Sequence, residues 1–230
     1  MIYVNPRWAF PVGVLPYNIE AEEAYFTMTR GERIIAFINL IKLIQERYCK
    51  PNLRAIDVGC GDGLMLEQCQ LAGIDCDGFE ISDSLIQKLR AQFTTKKIYS
   101  GNLTNISEKS YDIVFLINVI EHISDPKLTL TQLFNILKPG GYAFIHAPNI
   151  GGLPAIVMGS RWHQIEPLTH LYYYNWKTLK ATLKRVGFYT VGDFYLKSDS
   201  TVKSAIQIIV NRLHIHLDNG LGIIAQRPLS

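Results

Sequence analysis

The sequence predicts an α/β fold: a doubly wound, mostly parallel sheet with helices on both faces. Two observations predict it. Short apolar runs of strand length alternate with helical patterns from Arg54 to Gln226, the order expected when crossover helices join parallel strands. The segment Arg54 to Ile81, RAIDVGCGDGLMLEQCQLAGIDCDGFEI, also places a strand, a glycine turn, a helix, a second strand and an acidic stop in one line. A length of 230 residues suits one domain over 1–230. It divides into an N-terminal arm and helical lid (1–50), a cofactor-binding half (51–150), and a substrate loop with C-terminal strands (151–230).

Met1 to Tyr17 carries Trp8, Phe10, Tyr17 and three prolines, an irregular aromatic arm. Ile19 to Thr29 and Glu32 to Tyr48 then read as two helices broken at Gly31, the second with Ile34, Ile35, Ile38 and Ile41 at helical spacing.

Ala55 to Val58 forms a buried parallel strand, and Gly59-Cys60-Gly61-Asp62-Gly63 turns the chain where backbone must approach a ligand closely. Leu64 to Ala72 is helical, Gly73 suits a left-handed C-terminal cap, and Ile74 to Phe79 is the next strand. It ends at Glu80, whose carboxylate accepts hydrogen bonds from a ribose diol. A dinucleotide site wants G-x-G-x-x-G, but here the third glycine comes one residue early, at Gly63, and Leu64 takes its place.

Ser82 and Asp83 cap a helix through Phe93, Lys97 to Tyr99 is a short strand, and Gly101-Asn102-Leu103 is a turn. Tyr111 to Leu116 is a buried strand followed by Asn118-Val119-Ile120-Glu121-His122. Asp125-Pro126 opens a helix to Leu137, which Lys138-Pro139-Gly140-Gly141 stops before the strand Tyr142 to Ala147. Pro148 to Leu171 is irregular and runs into the aromatic stretch Tyr172 to Tyr174. Trp176 to Val186 is a helix, Tyr189 to Tyr195 a strand and Leu221 to Gln226 the last strand. Between them, Val202, Ile206, Ile209 and Leu213 stripe a further helix.

These motifs, in this order, resemble class I S-adenosylmethionine-dependent methyltransferases of the small-molecule type: G-x-G-x-G after an acidic-apolar strand, Glu80, Asn118 to His122, and L-K-P-G-G. The resemblance covers residues 54 to 190. It implies a Rossmann-like sheet of seven strands with the last antiparallel, an N-terminal helical lid, and S-adenosylmethionine as cofactor. The cofactor-binding positions it implies are Asp57, Gly59, Cys60, Gly61, Gly63, Glu80 and Ile81 around the first two strands. Asn102 and Leu103 are implied at the adenine, and Asn118 and Val119 under the methionine part. The family usually has aspartate where Asn102 stands; an amide oxygen accepts the same bond without charge. Arg33 on the lid is a candidate partner for the cofactor carboxylate.

A sulfonium methyl is already electrophilic, so alignment of an acceptor is the main requirement. If the acceptor is a hydroxyl a base helps, and His170, then His122, are the catalytic candidates. The N-P-P-Y-type tetrad and the Pro-Cys pair of base-modifying enzymes are missing. Small-molecule, sugar or lipid-precursor acceptors therefore lead, with O-methylation ahead. A dinucleotide oxidoreductase and a non-catalytic cofactor-binding module are the alternatives.

A net charge of +3 without basic runs gives no sign of a nucleic-acid partner. Cys49, Cys60, Cys69 and Cys76 contain no C-x-x-C pair, which fits a reducing compartment and offers no metal site. No signal-peptide pattern or membrane-length apolar run stands in the sequence, and a cytoplasmic protein is expected.

Overall fold

The structure, a computed structural model, describes residues 2–3, 19–48, 50–196 and 219–229. The elements in chain order are β1 (Ile2–Tyr3), α1 (Ile19–Arg47), β2 (Arg54–Val58), α2 (Leu64–Leu71), β3 (Asp75–Phe79), α3 (Asp83–Gln92) and β4 (Ile98–Tyr99). They continue with β5 (Tyr111–Ile117), α4 (Pro126–Ile136), β6 (Leu137–Pro148), α5 (Leu153–Met158), β7 (Tyr172–Tyr173), α6 (Trp176–Val186), β8 (Tyr189–Phe194) and β9 (Gly220–Gln226). The main sheet has seven strands in the order β4-β3-β2-β5-β6-β9-β8. β9 runs antiparallel to both β6 and β8, so six strands are parallel and the last is reversed, as expected. A separate ribbon pairs Ile2 with Tyr173 and Tyr3 with Tyr172.

The sheet buries both faces, and the two-residue period of each strand sorts its side chains between two cores. Ile56, Val114, Leu116, Ala143 and Ile145 face one core with Leu130, Leu133, Leu179 and Leu183 of α4 and α6. Ala55, Ile113, Phe115 and Phe144 face the other with Phe37, Ile41 and Ile44 of α1, Leu66 of α2 and Leu89 of α3. At about 25 cal/mol per Å² of apolar surface, this double burial is the main favourable term of the fold.

Local chemistry sets the ends. Asp125 Oδ1 accepts from Leu128 N at 2.9 Å to start α4. Asn175 and Thr178 form a reciprocal capping box on α6, and Gly187 closes it at φ 106°. Gly73, just past α2, has φ 72°.

Three expectations change. Gly31 does not break the N-terminal helix; α1 runs unbroken for 29 residues. A lone glycine costs a helix only about 1 kcal/mol, less than its apolar face recovers against the sheet. The Lys138 to Gly141 turn is absorbed into β6 as an irregularity, since the register to β5 passes from Tyr111↔Leu137 directly to Ile113↔Tyr142. The irregular region beyond Pro148 contains α5, and Tyr172-Tyr173 is a strand. The helix expected over Val202 to Leu213 lies outside the described residues, as does the N-terminal arm beyond Tyr3. No described helix is long and apolar enough to cross a membrane.

Candidate functional site

The glycine turn joins β2 to α2 through three left-handed residues, Gly59 (φ 78°), Gly61 (φ 53°) and Gly63 (φ 77°). Side chains are excluded there by sterics as well as by dihedral. A Cβ on Gly59 would lie 2.5 Å from Val119 Cγ2, and one on Gly61 would lie 2.8 Å from Phe26 Cζ. The loop is therefore clasped between the β5–α4 connection and helix α1. Cys60 is buried inside it, and burial pushes its thiol far above the usual range.

Glu80 stands at the end of β3, 6% exposed. Its Oε1 accepts from Ile81 N (2.7 Å) and Ser82 N (3.0 Å), and its Oε2 from Gly61 N (2.9 Å). A carboxylate has about four acceptor positions, so about one remains for a ligand hydroxyl. Ile81 beside it is 62% exposed. Asp57 lies buried below the loop. Burial, with Glu80 and then Asp62 nearby, pushes its carboxyl up to about 8.

Arg33 is committed to the loop instead of to an open space. Its Nη1 and Nη2 bond Asp62 Oδ1 and Oδ2 at 2.9 and 2.6 Å, while Nε reaches Thr29 Oγ1 and Nη2 the Phe26 carbonyl. Arg30 bonds Glu67 at 2.6 Å. A pocket of ≈ 310 Å³ opens between α1 and α3 outside Gly61, lined by Arg30, Lys88 and Gln92 among others and by neither Glu80 nor Asn118.

Asn102 caps the short turn at Leu103. Its Oδ1 accepts from Thr104 N (3.0 Å) and Gln132 Nε2 (3.2 Å), which fills both its lone pairs. Leu103 is buried in the sheet core.

Asn118 follows β5 in a left-handed conformation, φ 55°, unusual outside glycine. The turn is held by Asn118 N to His146 O (3.0 Å) and by Asn118 Oδ1 against His146 Nδ1 (2.7 Å). His146 positions Asn118 from the neighbouring strand. Burial lowers its pKa to about 4.

The turn then places Glu121 and His122 against the loop before β7. The Glu121 carbonyl accepts from Leu171 N (2.8 Å) and Tyr172 N (3.1 Å). His122 and His170 meet edge to face with ring centroids 4.8 Å apart. The structure thus brings the two expected histidines together, at the C-terminal side of β5 where open α/β sheets hold their ligands. Tyr172, Tyr173 and Tyr174 are buried, so the aromatic stretch is wall.

Sequence reasoning missed Glu121, which is 2% exposed. Burial pushes its carboxyl up to about 8. The signal was an acid beside a histidine immediately after a buried strand. Asn149, fully buried past β6, was also missed; its Nδ2 has no partner among the described residues.

A mostly parallel α/β sheet with a glycine loop after its first parallel strand and a buried acid at the end of its second defines the Rossmann-like class. Within it, residues 29–192 match the model of the methyltransferase domain family, and the chain belongs to that family. It is 32% identical over 124 residues to a ubiquinone biosynthesis O-methyltransferase of Marinobacter nauticus, covering 49% of this chain and 52% of that protein. The same-named protein of Methylococcus capsulatus is 28% identical over 116 residues, covering 47% and 49%. The chain thus spans about half the length of the curated relatives it matches. Among solved structures, a SAM-dependent methyltransferase from Archaeoglobus fulgidus superposes with TM-score 0.56 at 23% identity, covering 83% of this chain and 94% of that one. One from Thermotoga maritima gives 0.64 at 16%, covering 91% and 96%. These likenesses show the fold.

Proposed function

We propose that this chain transfers the methyl group of S-adenosylmethionine to an oxygen of a small-molecule, sugar or lipid-precursor acceptor. The observation that carries the reading is Glu80: a buried carboxylate, bonded to the Gly61 N–H, with about one acceptor position left beside a loop whose three glycines leave no room for a Cβ. A nucleoside ribose fits that donor demand. When bound, the cofactor supplies an electrophilic methyl on a sulfonium centre. The chain's own residues would hold it: Gly59, Cys60, Gly61 and Gly63 by backbone over Asp57, Glu80 at the ribose with Ile81 beside it, Asn102 and Leu103 at the adenine, and Asn118 and Val119 under the methionine part. Acceptance by Asn102 from an adenine amino group requires Gln132 to move off its Oδ1.

His170 and His122 belong to the acceptor end in this reading, where an oxygen acceptor must lose its proton. The curated relatives' name, O-methyltransferase in ubiquinone biosynthesis, supports an oxygen acceptor on a small molecule. Buried free thiols at Cys60, Cys69 and Cys76 support a reducing, cytoplasmic setting.

Titration calorimetry with S-adenosylmethionine, followed by transfer of a labelled methyl to a panel of phenols, sugars and prenylated rings, tests it. Saturable binding and label in an oxygen ether are expected. No heat with the wild type, or a Gly61→Arg variant that binds equally well, sinks the reading.

A further inference from the structure

Three side chains able to give an electron pair to a cation converge beside the proposed acceptor end. Glu121 is buried, and its Oε2 has no hydrogen-bond partner among the described residues. His122 Nδ1 lies 2.9 Å from the Thr169 carbonyl, and His170 Nδ1 lies 2.9 Å from the Gln164 carbonyl. A carbonyl only accepts, so in the neutral ring each Nδ1 carries the proton and each Nε2 presents a lone pair. That is how metal-binding histidines are oriented, by a carbonyl on the far nitrogen.

One ligand atom from each of Glu121, His122 and His170 lies within 4.8 Å of the others, and Glu121 Oε1 is 3.9 Å from His122 Nε2. Two atoms bonded to one ion at about 2.0–2.1 Å stand at most about 4.2 Å apart. That limit applies to an opposed pair; in a tetrahedral shell ligand atoms stand about 3.4 Å apart, so the widest pair must draw together by up to about 1.5 Å to close on an ion. Glu121 and His170 are buried, whereas the His122 side chain is 38% exposed, so the cluster has an open side.

We propose that Glu121, His122 and His170 form a binding site for one divalent transition cation. Two imidazoles and one carboxylate suit zinc, cobalt, manganese or iron(II) over calcium or magnesium, which prefer all-oxygen shells. Three protein ligands with an open side leave a coordination position for water or an acceptor oxygen, whose hydroxyl the ion acidifies. This use of the ion rests on the methyl-transfer reading; the binding itself does not.

The test uses the full chain, freed of metal by a chelator and without cofactor. Cobalt(II) is titrated while its visible absorption is followed, and zinc is titrated in competition with a chromogenic chelator. One ion per chain is expected. Glu121→Gln and His170→Gln should each weaken binding by at least about 10–100-fold, the loss seen even for second-shell changes. His163→Gln, an exposed histidine outside the cluster, should bind as the wild type does. The wild-type melting midpoint should rise with the cation and fall back with chelator, a readout that needs no variant.

Absence of saturable binding by the wild type overturns the proposal. So does unchanged affinity in both ligand variants when their circular dichroism and melting match the wild type. Should a variant fail to fold, the wild-type histidine ring resonances decide: cation-induced shifts at His122 and His170 support the site, and shifts confined to other histidines overturn it. S-adenosylmethionine titrated separately keeps the two readings apart, because a chain that binds cation but no cofactor loses only the transfer reading.

Discussion

Arg33 on α1 grips Asp62 in the glycine loop through two parallel hydrogen bonds of 2.9 and 2.6 Å. Both side chains are less than one-fifth exposed. A bidentate, partly buried pair of this kind fixes geometry as well as charge, so it sets how closely α1 lies on Gly61.

Arg33→Met should therefore loosen α1 from the glycine loop without touching the acceptor end. Hydrogen bonds to charged groups contribute about 1.5–3 kcal/mol, and cofactor affinity should fall by roughly tenfold or more, with kcat changed far less than KM for the cofactor. Calorimetry and steady-state kinetics on the same preparation check this. An unchanged cofactor affinity would show that the pair does not shape the site.

Gly59→Ala should fail for two separable reasons. Its Cβ would stand 2.5 Å from Val119 Cγ2, and its φ of 78° is left-handed. Left-handed backbone costs a non-glycine residue roughly 1–2 kcal/mol. Adding Val119→Ala removes the steric part only, so the double variant should recover part, but not all, of the melting temperature lost by Gly59→Ala. Full recovery or none would contradict this division.

Asp57 gives a pH dependence with a definite sign. Its folded pKa of about 8 lies above the ordinary value of 3.8. A raised folded pKa means that the native state binds the proton more tightly. The contribution is fully present below the unfolded pKa and is lost as pH rises from about 4 through 8. Asp57→Asn cannot lose it, so its stability relative to wild type should climb across that window and level off above pH 8. Denaturant midpoints at several pH values measure the difference.

His146 acts at the other end of the scale. Its folded pKa of about 4 lies below the ordinary 6.5, so between those values the unfolded chain holds more protons. Stability should then fall as pH drops from 6.5 toward 4, by about 2 kcal/mol at pH 5. The drop should disappear in His146→Gln, followed by denaturant unfolding at pH 7 and 5. Gly220 faces His146 so closely that a Cβ there would meet the ring, so Gly220→Ala should also unseat the imidazole and bring its titration nearer the ordinary value.

The strands, the order of elements and the glycine loop were readable because each is written locally. Ala55 to Val58 and Tyr111 to Leu116 are apolar runs on a strand that is buried on both faces, and Gly59, Gly61 and Gly63 occupy dihedrals that few other residues adopt. Gly31 misled because a glycine's cost in a helix is small and only the burial of Phe37, Ile41 and Ile44 against the sheet outweighs it. Tyr172 and Tyr173 misled because the pairing that makes them a strand comes from Ile2 and Tyr3, at the opposite end of the chain.

What the sequence by itself determined was the sheet, the nucleotide-type loop and the acid at Glu80, since backbone dihedrals and strand periodicity depend on neighbours in the chain. What only the tertiary structure decided was the company each charged group keeps. Arg33 could equally have faced a ligand until α1 packed it against Asp62. Glu121, His122 and His170 became one cluster only when the β5 turn docked on the loop before β7. Burial, desolvation and the direction of a lone pair are set by groups remote in sequence, and no local pattern encodes them.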